Sequence, residues 1–388
     1  YKGEKGILPP LLKKLENAGI PKRNITILVG TGTHRPSTGA EKREMFGEQV
    51  VRDFRILDHD CENPDFLTYA GKTRKQTHVY INAAFFSADV RIVTGLVESH
   101  FMAGVSGGRK GVCPALVDKK TIEKFHGPEF LESLCADNLI LDGNPCHEEA
   151  LDIARTVGVD FTVNVTLDKE MRLTGVFAGD LEEAHMQAFR FMKGYTAIPL
   201  DREFDIVLTH GGYVGRNHYQ TAKAGCAALS AVKKGGTIII AADNRDREPI
   251  GSPVYRDLIG RLKTLGVEGY LDLIRSPAWA FTREQWEPEV WGRVLRKTGE
   301  KGLMYCSPQI PAAAFSRLPG RSGHEFIEKD EFPTAGDSAR AMVQNALLFA
   351  VSRHLEKGER PATAVIREGP YAVPRLLKSS RKAGGLST

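Results

Sequence analysis

The sequence predicts an α/β protein built from two α/β domains. Three observations predict it. Short apolar runs bounded by glycine or polar turns alternate with helical stretches, the pattern of a mostly parallel sheet covered by helices. The alternation restarts near Asp201, where EFDIVLTHGG, NHYQTAKAGCAALSAVKKGG and TIIIAAD read as strand, helix and strand. The 388 residues also fit two cores better than one. The expected domains are 1–200 and 201–345. Whether 346–388 returns to the first domain is left open by the sequence.

The elements follow in order. NITILVGTG (Asn24 to Gly32) is a buried strand running into a glycine turn, TGAEKREMFGEQVVRDF a helix, and RILDHD a second strand. THVYINAAFFSADVRIVTGLVESH holds a strand, a short helix and a strand that delivers His100 at its carboxyl end. PCHEEALDIARTVG reads as a helix and DFTVNVTLD as a strand. In the second half REQWEPEVWGRVLRKTG is a helix and GLMYCS a strand. AGDSARAMVQNALLFAVSRHL is a long helix capped near Asp337, and ATAVIREGPYAVP closes the ordered part.

Composition excludes several classes. Lys and Arg number 53 against 48 Asp and Glu, a net +5 that is small for this length. Part of the excess lies in the solvated tail RLLKSSRK, and no aromatic-interleaved basic groove for nucleic acid is present. The cysteines (61, 113, 135, 146, 226 and 306) form no CxxC pair and read as thiols of a reducing, cytoplasmic compartment. No run approaches the roughly 18 apolar residues of a membrane span, and the first residues carry no signal-peptide pattern. The chain opens on Tyr1, which leaves room for a missing natural start.

Two glycine-rich loops invite a phosphate reading, and both fail it. GVSGGRKG has Arg109 before Lys110 and a glycine after it, so the spacing and the metal-binding hydroxyl of a Walker loop are absent. GTGTHRP places Arg35 where a dinucleotide fingerprint needs its third glycine. An arginine there suits a bidentate grip on a carboxylate or a structural ion pair. His59 and His100 each follow a strand, where ligands and bases gather, and His126 lies sixteen residues after Lys110. From spacing alone each is equally an ordinary hydrogen-bonded histidine. His34, His78, His147 and His210 carry less signal. In NHYQTAK, Tyr219 and Lys223 share a helix face with Gln220 beside them, enough to receive a small anion or simply to form a polar helix start.

Together these segments resemble the nickel-pincer lactate racemase family. The resemblance spans most of the chain and rests on GTGTHRP, DHD, GLVESHFMAGVSGGRKGVCP and GGYVGRNHYQTAKAGCAA…VKKGGTIIIAAD, in that order. It implies two α/β domains with the active site in the cleft between them. It implies a covalently bound nickel-pincer nucleotide, the nickel complex of pyridinium-3-thioamide-5-thiocarboxylic acid mononucleotide. Lys110 is then the tethering amine, and Arg109, Gly107, Gly108 and Trp286 line the cofactor, with Trp279 as alternative to Trp286. His126 is the protein ligand to nickel. His59 and His100 are the acid/base pair on opposite substrate faces. Arg35, Tyr219, Gln220 and Lys223 receive the substrate carboxylate. The implied reaction racemises or epimerises a 2-hydroxy acid by hydride transfer to and from the tethered group. The implied partners are the substrate and the enzymes that make the cofactor; no nucleic acid or membrane partner is expected, and the oligomeric state is not readable. Gly32 stands where lactate-acting members have an aspartate, and Arg216 where they tend to have an acid. These departures suggest a substrate other than lactate. The alternatives are an NAD-dependent 2-hydroxy acid dehydrogenase, which the missing fingerprint disfavours, and a non-catalytic sugar-acid binding protein.

Overall fold

A computed structural model describes residues 6–328 and 334–377; most of the basic tail lies outside the described residues. The chain folds as two units, Tyr1–Gly194 and Tyr195–Thr388. The break falls inside the helix Leu181–Thr196, a few residues before the expected boundary. Both units mix helices with parallel strand pairs, as an α/β chain should.

The first unit does not carry one mostly parallel sheet. Among the described residues its strands form short, separate sheets. Thr26–Val29 pairs parallel with Arg55–Asp58. Leu67–Lys72 pairs antiparallel with His78–Asn82. Ile92–Leu96 pairs parallel with Phe161–Leu167, which in turn pairs antiparallel with Leu173–Gly179. The periodicity of each strand was readable, but its partner was not. The helix expected across 38–54 is two helices, Gly39–Phe46 and Glu48–Asp53. Gly47, at φ 87°, breaks it, a conformation that glycine adopts without a Cβ penalty. Behind the first strand pair, Leu12, Ile25 and Val50 form a small core with Leu8, Leu15 and Phe54.

The second unit holds a five-stranded sheet that is parallel throughout. Phe204–His210 sits inside it, between Val232–Ala241 and Thr363–Val365. Its apolar face closes under the helix Ala335–Leu355, with Ile206, Ile239, Met304, Met342 and Ala346 buried together. The cap of that helix is the Thr334 side chain, which accepts from the Asp337 N–H. The helix His218–Ala228 is shorter than expected. The stretch Val232–Gly236, expected to end that helix, is already strand. The C-terminal stretch, whose destination was open, stays in the second unit. Thr363–Val365 joins the large sheet, and Val373–Leu376 pairs with Ala197–Leu200.

No disulfide forms among the described residues, and no helix there is long and apolar enough to cross a membrane. The long kinked helix Pro253–Arg275 was not anticipated; Gly266, at φ 72°, interrupts it.

Crowding at glycine can be tested against strain alone. Gly104 and Gly235 share φ +77°, but a Cβ on Gly104 would lie 2.1 Å from the Ile140 carbonyl oxygen, while one on Gly235 meets nothing. Gly104→Ala is expected to destabilise its unit by roughly 2–4 kcal/mol. Gly235→Ala should cost about 1 kcal/mol, from strain alone. Urea unfolding of both variants decides; equal losses would contradict the crowding.

Candidate active site

The site is built first around one turn. After the strand Ile92–Leu96 the chain forms a two-residue ladder, with His100 opposite Gly104. It then enters the tight turn Gly108–Gly111 that carries Lys110. Asn164, on the neighbouring strand, accepts from the Gly108 N–H at 2.9 Å and so fastens the turn to the sheet. Ser106 Oγ donates to the Leu96 carbonyl at 2.7 Å.

Arg109 is the peg of this turn. It is 1 % exposed. Its Nη1 donates to the carbonyls of Val105 (2.8 Å) and Gly107 (3.3 Å), and its Nη2 to that of Ala103 (2.7 Å). Burial lowers its pKa to about 9, so it stays charged at neutral pH. Arg109, expected beside the cofactor, meets the loop through Nη1 and Nη2, while its buried Nε has no hydrogen-bond partner among the described residues. Gly107 and Gly108 precede it. Their bare Cα atoms face Val97, Asn164 and His185 within the protein. They permit the turn and its close packing.

Lys110 and His100 do come together. Lys110 Nζ lies 2.7 Å from His100 Nε2. The other ring nitrogen, Nδ1, accepts from the N–H groups of Met102 and Ala103, each at 3.2 Å. Phe101 stacks on the ring at 5.1 Å.

His126 caps the helix Lys119–Phe125. Its Nδ1–H donates to the Ile122 carbonyl at 2.9 Å, which leaves the ring's lone pair on Nε2. Burial lowers its pKa to about 3, with the charges of Lys110 and His34 adding to the effect. Lys110, His126 and His34 thus share a neighbourhood. His34, exposed, is a member that sequence spacing did not single out. It arrives because Gly32 N–H donates to the Ala115 carbonyl, docking the GTGTHRP loop beside the segment after Lys110.

His59 is placed differently from its expected catalytic role. It is 2 % exposed. Nε2–H donates to the Val117 carbonyl at 3.0 Å, and Nδ1 accepts from the Asn82 amide at 3.1 Å. Both nitrogens are engaged with protein, and burial lowers the pKa. In this arrangement it exchanges no proton with a substrate. Arg35 also departs from expectation. It is exposed and grips Glu41 with both arms, Nη1 to Oε2 at 2.8 Å and Nη2 to Oε1 at 2.6 Å. That hydrogen bonding holds the Glu41 carboxyl down at about 2.

In the second unit, Asn217 caps the helix His218–Ala228 by accepting from the Gln220 N–H. Tyr219 accepts from Trp286 Nε1–H at 3.0 Å, which places Trp286, rather than Trp279, beside the expected anion-binding residues. Trp279 donates to Gln285 instead. Spacing missed Glu287, which is 1 % exposed and has a side-chain oxygen with no hydrogen-bond partner among the described residues. Burial raises its pKa, opposed by the charge of Lys223. An acid inside QWEPEVW, otherwise a buried helix start, was the available signal. Arg216 is paired with Asp246 at 2.8 Å, so the extra cation expected there is balanced.

Among the described residues no group of three or more His, Cys, Asp or Glu is arranged to hold a metal.

Known proteins were compared with this chain. The family described as the lactate racemase N-terminal domain matches residues 1–135. The lactate racemase of Lactiplantibacillus plantarum is 36% identical over 292 residues, 74% of this chain and 68% of that protein. The lactate racemase of Thermoanaerobacterium thermosaccharolyticum is 30% identical over 299 residues, 74% of this chain and 67% of that protein. The structure of the lactate racemase apoprotein from T. thermosaccharolyticum superposes with a TM-score of 0.82 at 26% identity, covering 95% of this chain and 82% of that one. A Thermotoga maritima protein shares the fold, with a TM-score of 0.63 at 19% identity, covering 95% of this chain and 89% of that one.

The buried imidazoles set an acid limit on stability. His126, His147, His185 and His218 each have a folded pKa near 3, chiefly from burial. The unfolded chain takes these protons near pH 6.5. Between these values it binds more protons than the folded one, so stability falls as pH drops, by about 1.4 kcal/mol per unit for each histidine. Urea midpoints at pH 7.5, 6.5 and 5.5 should decline steeply only below about 6.5. A flat profile would contradict the neutral, buried assignment.

Proposed function

We propose a racemase function from one premise: the chain belongs to the lactate racemase family. In this reading it interconverts the configurations at carbon 2 of a 2-hydroxy acid, by racemisation or epimerisation, and its substrate is an acid other than lactate. The observation that carries the reading is the shared neighbourhood of Lys110, His100 and His126 in the first unit.

The residues present fit a nickel-pincer nucleotide on two counts. His126 keeps a neutral ring whose tautomer is fixed by Ile122, the state a metal ligand requires. Lys110 offers an amine at the end of a rigid turn. Lys110 would hold the group covalently and His126 its nickel, and the bound group would supply a reversible acceptor for the substrate's α-hydrogen.

The chain's own residues do the rest. His100 accepts the proton of the 2-hydroxyl and returns it, a role an imidazole fills near neutral pH. Lys223, Tyr219 and Gln220 bind the carboxylate, with Trp286 fixing the phenol of Tyr219. Arg35 would take a substrate carboxylate by releasing Glu41, an exchange that a solvent-exposed pair permits. The second acid/base is either His59, after release from Asn82 and Val117, or the exposed His34 near His126. A substrate other than lactate is supported by Gly32. Its φ of +56° and its bond to Ala115 make the turn without the aspartate of lactate-acting members. Arg216 gives no such support, because Asp246 neutralises it.

The test begins with protein purified from its native cell. Intact-mass analysis should show an increment on Lys110 together with bound nickel, and Lys110→Ala should lose the increment. Single enantiomers of several 2-hydroxy acids are then assayed. His100→Gln should slow isomer exchange by about 10²–10⁴-fold while keeping the increment. His59→Gln and His34→Gln identify the second imidazole by the same loss. Fastest turnover on lactate would refute the substrate assignment, and a nickel-free, unmodified active protein would refute the cofactor.

A further inference from the structure

We infer that the strand Leu173–Gly179 is an interface between two copies of this chain, joined antiparallel about a two-fold axis through Val176. The inference stands without the racemase reading.

The strand ends its sheet. Among the described residues the order is Ile92–Leu96, Phe161–Leu167, Leu173–Gly179, so the last strand is paired on one side. Alternate residues of such a strand turn their N–H and C=O groups to the open side, a ready template for another strand. Edges are ordinarily blunted by lysine, proline or a covering helix. LTGVFAG holds no charged residue and no proline. The register irregularity against its neighbour falls at its first residues and leaves Gly175–Gly179 regular. Leu173 and Val176 are each 51 % exposed, and Thr174 and Ala178 are exposed beside them. The face bearing Phe177 is already in use. That ring lies over Gly175, where a Cβ would sit 2.7 Å from it, and packs on Phe191 at 5.5 Å.

The occupant is a second copy because the strand complements itself. With Val176 on the axis, Val176 meets its own copy, Thr174 meets Ala178, Gly175 meets Phe177, and Leu173 meets Gly179. No like charges stand opposite each other. Just outside the strand, Arg172 comes opposite Asp180, at both ends at once. Arg172 rests on Asp168 and Glu170 with its side chain 73 % exposed, so it reaches across without abandoning a buried partner. Asp180 holds the Glu182 and Glu183 N–H groups with Oδ1, and a carboxylate has a second oxygen to offer. This register pairs all seven residues of the strand, and any shift leaves some unpaired. A parallel arrangement of two copies would instead set Arg172 against Arg172 and Asp180 against Asp180. The antiparallel pair is isologous: each copy spends its edge on the other, so association stops at two. Seven residues a side, flanked by Met171, fall short of the roughly 20–30 of a standard interface, so the dimer is reversible and concentration-dependent.

The experiment uses the full chain without added cofactor. Sedimentation velocity follows its mass over a roughly hundredfold range of concentration. The protein is expected to pass from the monomer mass of 42.7 kDa to twice that, and no further. Val176→Lys sets two ammonium groups face to face on the axis and should weaken association at least about tenfold. Because Val176 is half exposed, the urea midpoint of the variant at low concentration should match the parent's. Val176→Cys should be cross-linked to its own copy by a short bis-maleimide. Leu355→Cys, similarly exposed in the second unit, should not, and the parent, whose cysteines are mostly buried, is the blank. A parent that stays monomeric at every concentration overturns the inference. A dimer untouched by Val176→Lys, or assembly that continues past two, overturns it as well. If Val176→Lys does not fold, the cross-link decides: Val176→Cys linked no faster than Leu355→Cys refutes the two-fold pairing.

Discussion

A single buried guanidinium organises the first unit's share of the site. The segment from His100 to Lys110 reverses direction in a few residues and turns three carbonyls, those of Ala103, Val105 and Gly107, toward one point. Buried carbonyls left unpaired would be costly. Arg109 meets all three with a planar fork that a lysine could not reproduce. Its own desolvation is the opposing term, visible in the fall of its pKa to about 9. The arrangement holds because the charge is spread over several acceptors. What it achieves is positional: His100 enters the turn, Lys110 leaves it, and neither can drift while the peg is in place.

The same logic of local bonds setting chemistry recurs in the imidazoles. Each ring is set by backbone or amide partners close at hand. Ile122 takes the Nδ1 proton of His126 and leaves the ring's lone pair on Nε2. Met102 and Ala103 point their N–H groups at Nδ1 of His100 and leave Nε2 facing Lys110. Asn82 and Val117 occupy both nitrogens of His59. These three rings have one composition and three chemical settings, a lone pair on Nε2, a contact with Lys110, and a closed structural link. Burial keeps His126 and His59 uncharged by lowering their pKa values. Residue type alone could not have separated them.

That comparison shows what the sequence could and could not tell. Most strands, and helices of the second unit such as Trp286–Thr298, were legible because apolar periodicity is local; so was the nearness of Lys110 to His100, ten residues apart across a glycine-rich turn. Strand partnering in the first unit was not legible, since Ile92–Leu96 meets Phe161–Leu167 across a long excursion that no period encodes. For Arg109 a sequence shows the charge and hides the carbonyls that it meets. The same holds for Arg35 and Arg216, their partners Glu41 and Asp246 being fixed by the fold around them. Asn164 and Glu287 were visible as polar residues inside apolar runs. Such interruptions report a buried hydrogen bond or charge more reliably than an exposed cation reports a ligand.

The paired cations carry an argument about selectivity. An arginine that rests on an internal carboxylate does not reward every passing anion, because binding must first release Glu41. Under the proposed function, only an acid that offers Arg35 the same two-oxygen geometry, while its hydroxyl reaches an imidazole, would recover what the exchange gives up. Removing that internal acid would strengthen attraction for anions generally and weaken discrimination among them. Charge pairing at rest is thus a filter, one in which carboxylate shape and hydroxyl placement count for more than net negative charge.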